Sequence, residues 1–438
     1  MNAPMAPPAS PALPVWPIRR VERDPLAFLT TLASTDRDVV PFLVGRRPAF
    51  LLNHPARIED VLIRQSQVFV KGRGFDRARH LLGNGLLTAA GPVHRDRRRL
   101  VQGAFHRQRV EAHTPTIVDR ALRRRETWRA GTPIDAAREM RELTLTIAGE
   151  ALFGADLTEW AGHIERGVAL AVPPMDGLVA IVAPPGQTRR ARRGLEVVID
   201  AIIAGRRAVP ARRDDLLAML LDVHEEKNEA SERQLRDDVL TVLLAGHDTI
   251  SHALTWTWLL LADHPDVDER LGAELAMVLG ARLPEAGDVA RLLYTRAVVA
   301  EALRLFPPAW VIVRRAAEAC RVGKVEIPKG AVMVASPFVT QRDPRFFHEP
   351  LRFTPDRWLP TGEDAVPLPK LAYFPFGAGT RACVGEGFAW LEATLVLATL
   401  AQHWRLARST NSSVEASARI TLRPSGEPPM VPMRRSLP

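Results

Sequence analysis

A single cysteine held between glycines sets the tightest limit on this chain. In the run Phe376-Gly377-Ala378-Gly379-Thr380-Arg381-Ala382-Cys383-Val384-Gly385 the thiol follows a glycine-rich turn and precedes a stretch, Phe388 to Leu400, that reads as helix. Such a turn shelters a thiolate in a cradle of backbone N–H groups, and the positive end of the following helix favours negative charge there. Taken alone, a cysteine is more simply a buried free thiol packing as a small hydrophobe. It is not read as half of a disulfide. The only other cysteine, Cys320, lies far upstream among strand-like residues. So few cysteines fit a reducing compartment.

Phe376, Gly379, Arg381, Cys383 and Gly385 match F-x-x-G-x-R-x-C-x-G at five fixed positions. On these residues the chain resembles the cytochromes P450, whose haem iron is held by a cysteine thiolate. The resemblance covers essentially everything from about residue 25 onward. It implies a mainly α fold with a small β portion (α+β), the haem buried between a long central helix and the cysteine loop. Residues 1–20 read as a flexible Pro-rich tail and 21–438 as one catalytic domain. The implied cofactor is haem b (iron protoporphyrin IX), with Cys383 as metal ligand and Phe376 and Gly385 among the cofactor-binding residues.

The remaining pattern is mostly helical. Val39 to Asn53 reads as paired strands, Pro55 to Gln65 as helix, and Lys71 to Gly91 as a loop with a short helix. Gly72-Arg73-Gly74 lacks the preceding strand and the following Gly-Lys-Ser/Thr of a phosphate loop. Helical patterns run from His94 to about Asp263, broken at Val172-Pro173-Pro174 and Ala183-Pro184-Pro185-Gly186. Val325, Ile327, Val332 and Val334 alternate around Pro328-Lys329-Gly330 and predict a hairpin. Ala418 to Pro438 reads as short strands.

Ser231-Glu232-Arg233-Gln234 predicts a capping box, opening a helix to about Asp263, where His264-Pro265 stops it. About thirty residues at ~1.5 Å each span ~45–50 Å, enough to cross a domain. Midway lies Ala245-Gly246-His247-Asp248-Thr249. A Thr hydroxyl can bond the carbonyl one turn back, loosening the helix and opening a groove. Alone, the pentapeptide is equally a close-packing site with an incidental Asp-Thr. In P450s this A-G-x-D/E-T pattern lies over the open face of the haem. The resemblance therefore implies that Ala245 and Gly246 leave room beside the cofactor for dioxygen, Thr249 hydrogen-bonds the oxygen, and Asp248 relays protons. His247, on another face, reads as a packing residue and not an iron ligand.

Glu301-Ala302-Leu303-Arg304 places two charges on one helix face. Read blindly, that is a surface ion pair worth little. Here Leu305-Phe306-Pro307-Pro308 follows, and Phe353-Thr354-Pro355-Asp356-Arg357-Trp358 lies downstream. Both resemble P450 motifs, and the resemblance implies a buried network of Glu301, Arg304 and Arg357 that serves folding and haem retention. Haem also carries two carboxylates, which need cationic or N–H partners. His94 and Arg98 share a helix face at i, i+4 in His94-Arg95-Asp96-Arg97-Arg98-Arg99-Leu100. By resemblance they, Arg314 and Arg381 form the clamp, a task suited to the planar guanidinium fork. Arg97 and Arg99 are expected to face solvent.

The net charge is +9, and residues 91–130 hold eleven arginines against four acids. A basic chain can bind nucleic acid, but no recognition signature is present and no nucleic-acid partner is expected. The basic stretch is either a solvated face or a docking patch for an acidic protein. Arg97, Arg99 and Arg123 to Arg125 are the docking candidates. Residues 1–17 lack a signal-peptide pattern, and no stretch reaches the ~18 apolar residues of a spanning helix. The expectation is a cytoplasmic, bacterial-type monomer without a membrane anchor.

The implied reaction is monooxygenation, inserting one atom of O2 into a lipophilic small molecule such as a fatty acid, terpenoid or steroid. Electrons would come from a separate ferredoxin or flavodoxin-type donor with its reductase, because no such domain follows Cys383. A peroxygenase or isomerase of the same fold, and a non-catalytic haem sensor, are the alternatives. The Asp248-Thr249 pair argues against both, since neither needs a proton relay. Val242, Leu243, Ala309, Val311 and Ile420 are the pocket candidates, with 75–87 and 173–182 as further walls. Arg73, Arg77 and Arg79 are either a carboxylate anchor or plain surface arginines.

Overall fold

Helix Glu229–Asp263 is the axis around which the other elements are arranged. Its 35 residues at ~1.5 Å each run about 52 Å. The expected capping box at Ser231 is not what starts it. Asn228 is the N-cap, its side chain accepting from Ser231 N at 2.9 Å. The asparagine lies in extended backbone with an acceptor in reach of the first free N–H groups, while Ser231 Oγ faces His224 Nδ1 at 3.2 Å. The helix stops at His264, as the His-Pro pair dictates, and Pro265 begins the next one, Pro265–Leu279.

The structure is a computed structural model that describes residues 15–16, 24–72, 74–171, 184–209, 214–224, 228–360, 368–409, 414–426 and 429–435. The Val172-Pro173-Pro174 break, the 173–182 wall and Arg73 lie outside these residues, as does the side chain of Arg77.

Helix Ala136–Phe153 lies along the central helix. Asp135 caps its start, accepting from Arg138 N, and Gly154 at φ 60° closes its end in the left-handed region that glycine tolerates. Thr144 Oγ1 donates to Met140 O at 2.9 Å and to His247 O at 3.1 Å, joining the two helices. Helix Glu386–Ala401 is mostly apolar with no solvent-facing polar side, and from Phe388 to Ala401 only Trp390 is not buried. Such a helix must be surrounded. It packs against Thr114–Thr127, Leu293–Leu305 and the central helix, which draws the preceding cysteine loop inside.

The strands gather in a six-stranded sheet ordered Val15–Trp16, Val39–Val44, Arg47–Leu52, Val332–Ala335, Ile312–Ala316, Phe69–Lys71. Within the 1–20 stretch the backbone of Val15–Trp16 pairs in parallel with Leu43–Val44. One expectation fails here. No hairpin forms around Pro328. Val325–Ile327 pairs with Cys320–Val322, whereas Val332–Ala335 joins Ile312–Ala316 antiparallel and Arg47–Leu52 in parallel. A turn does close at 328–331, Ala331 N donating to Pro328 O at 3.1 Å, but the strands on its two sides take other partners, and Gly323 at φ 57° closes the hairpin that forms. The helix expected over 55–65 is α only as Pro55–Glu59 and continues as a π-helical turn, Asp60–Arg64. The edge strand Phe69–Lys71 and its neighbour Ile312–Ala316 matter most for function: in this antiparallel pair, Lys71 lies opposite Arg314.

Candidate active site

The cysteine loop is built by backbone bonds. Gly377 N donates to Phe374 O and Cys383 N to Phe376 O, both at 2.9 Å. Gly377 and Gly379 sit at φ 71° and 70°. A Cβ on Gly379 would lie 2.1 Å from Leu62 O, in the π-helical turn, so the close approach of two backbones admits only glycine. Cys383 is enclosed by protein, yet its surface remains accessible. Burial pushes the thiol up; the Gly385 N–H opposes this, Glu386 reinforces it, and Arg98 opposes it. The Phe376 ring packs on Trp390 at 5.6 Å.

Beside the loop stands a group of basic side chains. Arg98, on helix Gly91–Ala104, donates to Ala382 O at 2.6 Å, one residue from the cysteine, and Arg381 donates to Ala89 O at 2.8 Å. His94 is buried, and burial with Arg381, Lys71 and Arg98 pushes its pKa down to about 4. Burial and the neighbouring Arg314 and Arg98 lower Arg381 to about 10; burial alone lowers Arg314 to about 10. Lys71 belongs to this group and sequence reasoning missed it. Burial, Arg381, Arg314 and Arg79 hold it down to about 6. Among the described residues no carboxylate pairs with any of the five. Buried basic groups that depress one another's pKa values and meet no carboxylate fit a ligand with two carboxylates, which would favour their charged forms.

In the central helix Ala245 is exposed although Leu243 and His247 on either side are buried. No atom lies closer than 3.9 Å to the place a Cβ would take on Gly246. Thr249 Oγ1 donates to Ala245 O at 3.1 Å, so the pair marks one open stripe at i, i+4. The Asp248 carboxylate turns to the C-terminal turn, accepting from Thr421 Oγ1 at 3.0 Å. Burial raises its pKa, but His252, His247, Thr421 and Arg423 together outweigh that and leave it below the usual carboxylate value. His247 is buried, its Nδ1 2.8 Å from Leu243 O.

Behind the loop, Glu301 and Arg304 are wholly buried and Arg357 nearly so. Glu301 accepts from Arg304 Nε and Nη2, both at 2.8 Å, from Arg357 Nε at 3.0 Å, from Trp358 Nε1 at 2.9 Å and from Thr354 N at 3.0 Å. Arg304 also donates to the carbonyls of Gln341, Pro350 and Arg352.

Of the pocket candidates, Ala309 and Ile420 are exposed, Val311 is half-buried and Val242 retains 8 % exposure. Leu243 does not belong with them. It has no accessible surface, because the ~100° step of a helix rotates it from the Ala245 stripe into the core. The docking patch is also corrected. Arg97 points inward to Asp238 at 2.6 Å, Arg124 pairs with Glu139 and Glu142, and Arg125 reaches Thr399 O. Only Arg99 and Arg123 remain largely exposed. Arg79 donates to Thr88 O at 3.2 Å.

A sheltered thiol, a carboxylate-seeking cluster and an open stripe on a crossing helix define a haem-thiolate protein. The profile of the family "Cytochrome P450" matches residues 6–165 and 184–426, and the chain belongs to this family; it is a cytochrome P450 monooxygenase. It is 38% identical to "Cyclooctatin synthase" of Streptomyces melanosporofaciens over 88% of this chain and 86% of that one. It is 35% identical to "Cyclooctat-9-en-7-ol 5-monooxygenase" of the same organism over 88% and 85%. With "Pentalenene oxygenase" of Streptomyces avermitilis it shares 34% over 91% of each chain. Among the described residues no helix is long and apolar enough to cross a membrane.

Proposed function

We propose that this chain oxygenates a cyclic terpenoid hydrocarbon or alcohol held over haem b. The observation that carries the haem reading is the group of basic side chains Lys71, His94, Arg98, Arg314 and Arg381, which meet no carboxylate among the described residues. These residues would hold the two propionates and Cys383 the iron, with Phe376 and Gly385 framing the sulfur. Bound haem supplies the activation of dioxygen, which consumes two electrons and two protons and leaves one oxygen atom in the product and one in water. The residues of the chain do the rest. Ala245 and Gly246 keep space beside the helix. Thr249 carries a hydroxyl at its edge, and Asp248 moves protons toward that hydroxyl. Glu301, Arg304 and Arg357 hold the frame behind the loop. Electrons come from a separate ferredoxin or flavodoxin-type donor with its reductase, in the cytoplasm.

Val242, Ala309, Val311 and Ile420 present apolar groups to a substrate, as ligand pockets usually do. The names of the three relatives point to polycyclic alkenes and their alcohols as the class. A ferric Soret titration against cyclic sesquiterpenes and diterpenes, fatty acids and steroids tests this. A low-to-high-spin shift with the terpenoids is expected. A shift with fatty acids or steroids alone refutes the substrate class, and an abnormal reduced carbon monoxide spectrum refutes the assignment of Cys383.

A further inference from the structure

The acid beside Thr249 is held from outside its own helix. Oδ2 of Asp248 accepts from Thr421 Oγ1 at 3.0 Å and faces His252 Nδ1 at 3.6 Å, inside ion-pair range but too long for a hydrogen bond. Thr421 lies in the turn between strands Ala416–Ala418 and Leu422–Pro424. That turn is fixed from three sides: Trp310 Nε1 donates to Arg419 O at 2.8 Å, Leu422 N to Pro308 O at 2.9 Å, and Trp256 Nε1 to Leu422 O at 3.4 Å. The Thr421 hydroxyl is therefore an immobile anchor. His252, one turn along the central helix, is buried and its Nδ1 has no hydrogen-bond partner among the described residues. Around the pair stand His247 on the same helix, Arg423 on the turn, and Arg141 on helix Ala136–Phe153.

We propose that Thr421 and His252 are positioning residues for proton delivery by Asp248: Thr421 pins one carboxylate oxygen, and His252 is the group from which Asp248 regains its proton. Burial keeps His252 neutral near pH 7, even though Asp248 favours its charged form. In each transfer the imidazole takes a proton from solvent at Nε2 as it gives its Nδ1 proton to the Asp248 carboxylate. That proton passes to the Thr249 hydroxyl oxygen as the hydroxyl's own proton moves on to the oxygen being reduced, and Asp248 is again a carboxylate, the state its lowered pKa favours. No electron moves in these steps. A flip of the imidazole ring brings its protonated nitrogen back to Asp248, and a second transfer then supplies the second of the two protons used for each dioxygen.

The inference rests on the reading of Asp248 and Thr249 given above, and the experiment separates the two. Holoenzyme carrying Thr421→Val, Thr421→Ser, His252→Gln or Asp248→Asn is driven by NADH through a ferredoxin and its reductase, then separately by hydrogen peroxide, which brings its own protons. For Thr421→Val the ratio of NADH-driven to peroxide-driven product formation should fall about fivefold, the factor for one lost hydrogen bond. Peroxide released per NADH and the solvent deuterium isotope effect should rise. Thr421→Ser should restore all three, and His252→Gln should follow Thr421→Val. If Asp248→Asn shows the defect while Thr421→Val and His252→Gln match the parent, the inference is overturned. Equal losses in both assays also overturn it, since they mark a merely structural role. If Asp248→Asn itself matches the parent, the underlying reading of Asp248 falls instead.

Discussion

Replacing Glu301 by glutamine keeps the shape of the side chain and removes its charge. The amide nitrogen that takes the place of one oxygen then faces N–H donors. If it takes the Oε2 position, Arg304 Nε and Trp358 Nε1, now 2.8 and 2.9 Å from an acceptor, meet a donor instead. Both guanidinium groups, 0% and 4% exposed, lose their counter-charge. Breaking a buried ion pair on one side costs about 3–5 kcal/mol, most of it from the charge left behind. Urea unfolding of the holoenzyme, followed in parallel by the Soret band and far-ultraviolet circular dichroism, measures this loss. Arg321→Ala is the control, because Arg321 and Glu326 meet at 3.5 Å with 63% and 80% exposure, where a pair is worth ~0–1 kcal/mol. A Glu301→Gln loss no larger than that of the control would refute the argument that this network acts through burial.

Further outcomes follow from neighbouring contacts. Gly379→Ala should lower the haem content per chain and the thermal midpoint, since its Cβ meets Leu62 O at 2.1 Å. Gly387→Ala, with nothing within 4 Å, should raise stability by up to about 1 kcal/mol. Lys71→Gln should speed haem loss to a scavenging apoglobin about tenfold, the effect of one charge-assisted hydrogen bond; an unchanged rate would remove Lys71 from the cluster's function. Glu392 is wholly buried, neither carboxylate oxygen has a hydrogen-bond partner among the described residues, and burial pushes its pKa well above the usual value. The folded chain therefore keeps a proton that the unfolded chain releases above about pH 4.3, and stability should fall with rising pH by up to about 1.4 kcal/mol per unit until the folded carboxyl ionises. Glu392→Gln should flatten that slope in unfolding measured between pH 5 and 8 (at roughly unit steps).

The residues legible in the sequence are those whose meaning is local. Cys383 with its glycines, Glu301 with Arg304, and Ala245 to Thr249 each act within a few residues of chain, so spacing displays them. Lys71 is invisible for the opposite reason: its place beside the cysteine loop comes from a strand pairing that sets it opposite Arg314. Arg97 has the same difficulty. Nothing near it in sequence announces Asp238, which takes it out of solvent. Asn228 displaced Ser231 as cap because several acceptors compete within one turn, and only the entry angle of the chain chooses. Val332 to Ala335 alternates as a strand should, but alternation does not name the partner strand. Leu243 shows the limit of reading a helix face one residue at a time.

The bonds of Arg304 have an evolutionary meaning. They go to the main chain of Gln341, Pro350 and Arg352, and Glu301 likewise takes an N–H from Thr354. A peptide group offers the same atoms whatever residue carries it. Mutation can thus rewrite much of this stretch without reaching the ties that fix its path. The apolar groups at Val242, Ala309, Val311 and Ile420 make none of those ties. Lineages of this chain can exchange one set of greasy contours for another while the frame that holds the thiol stays as it is.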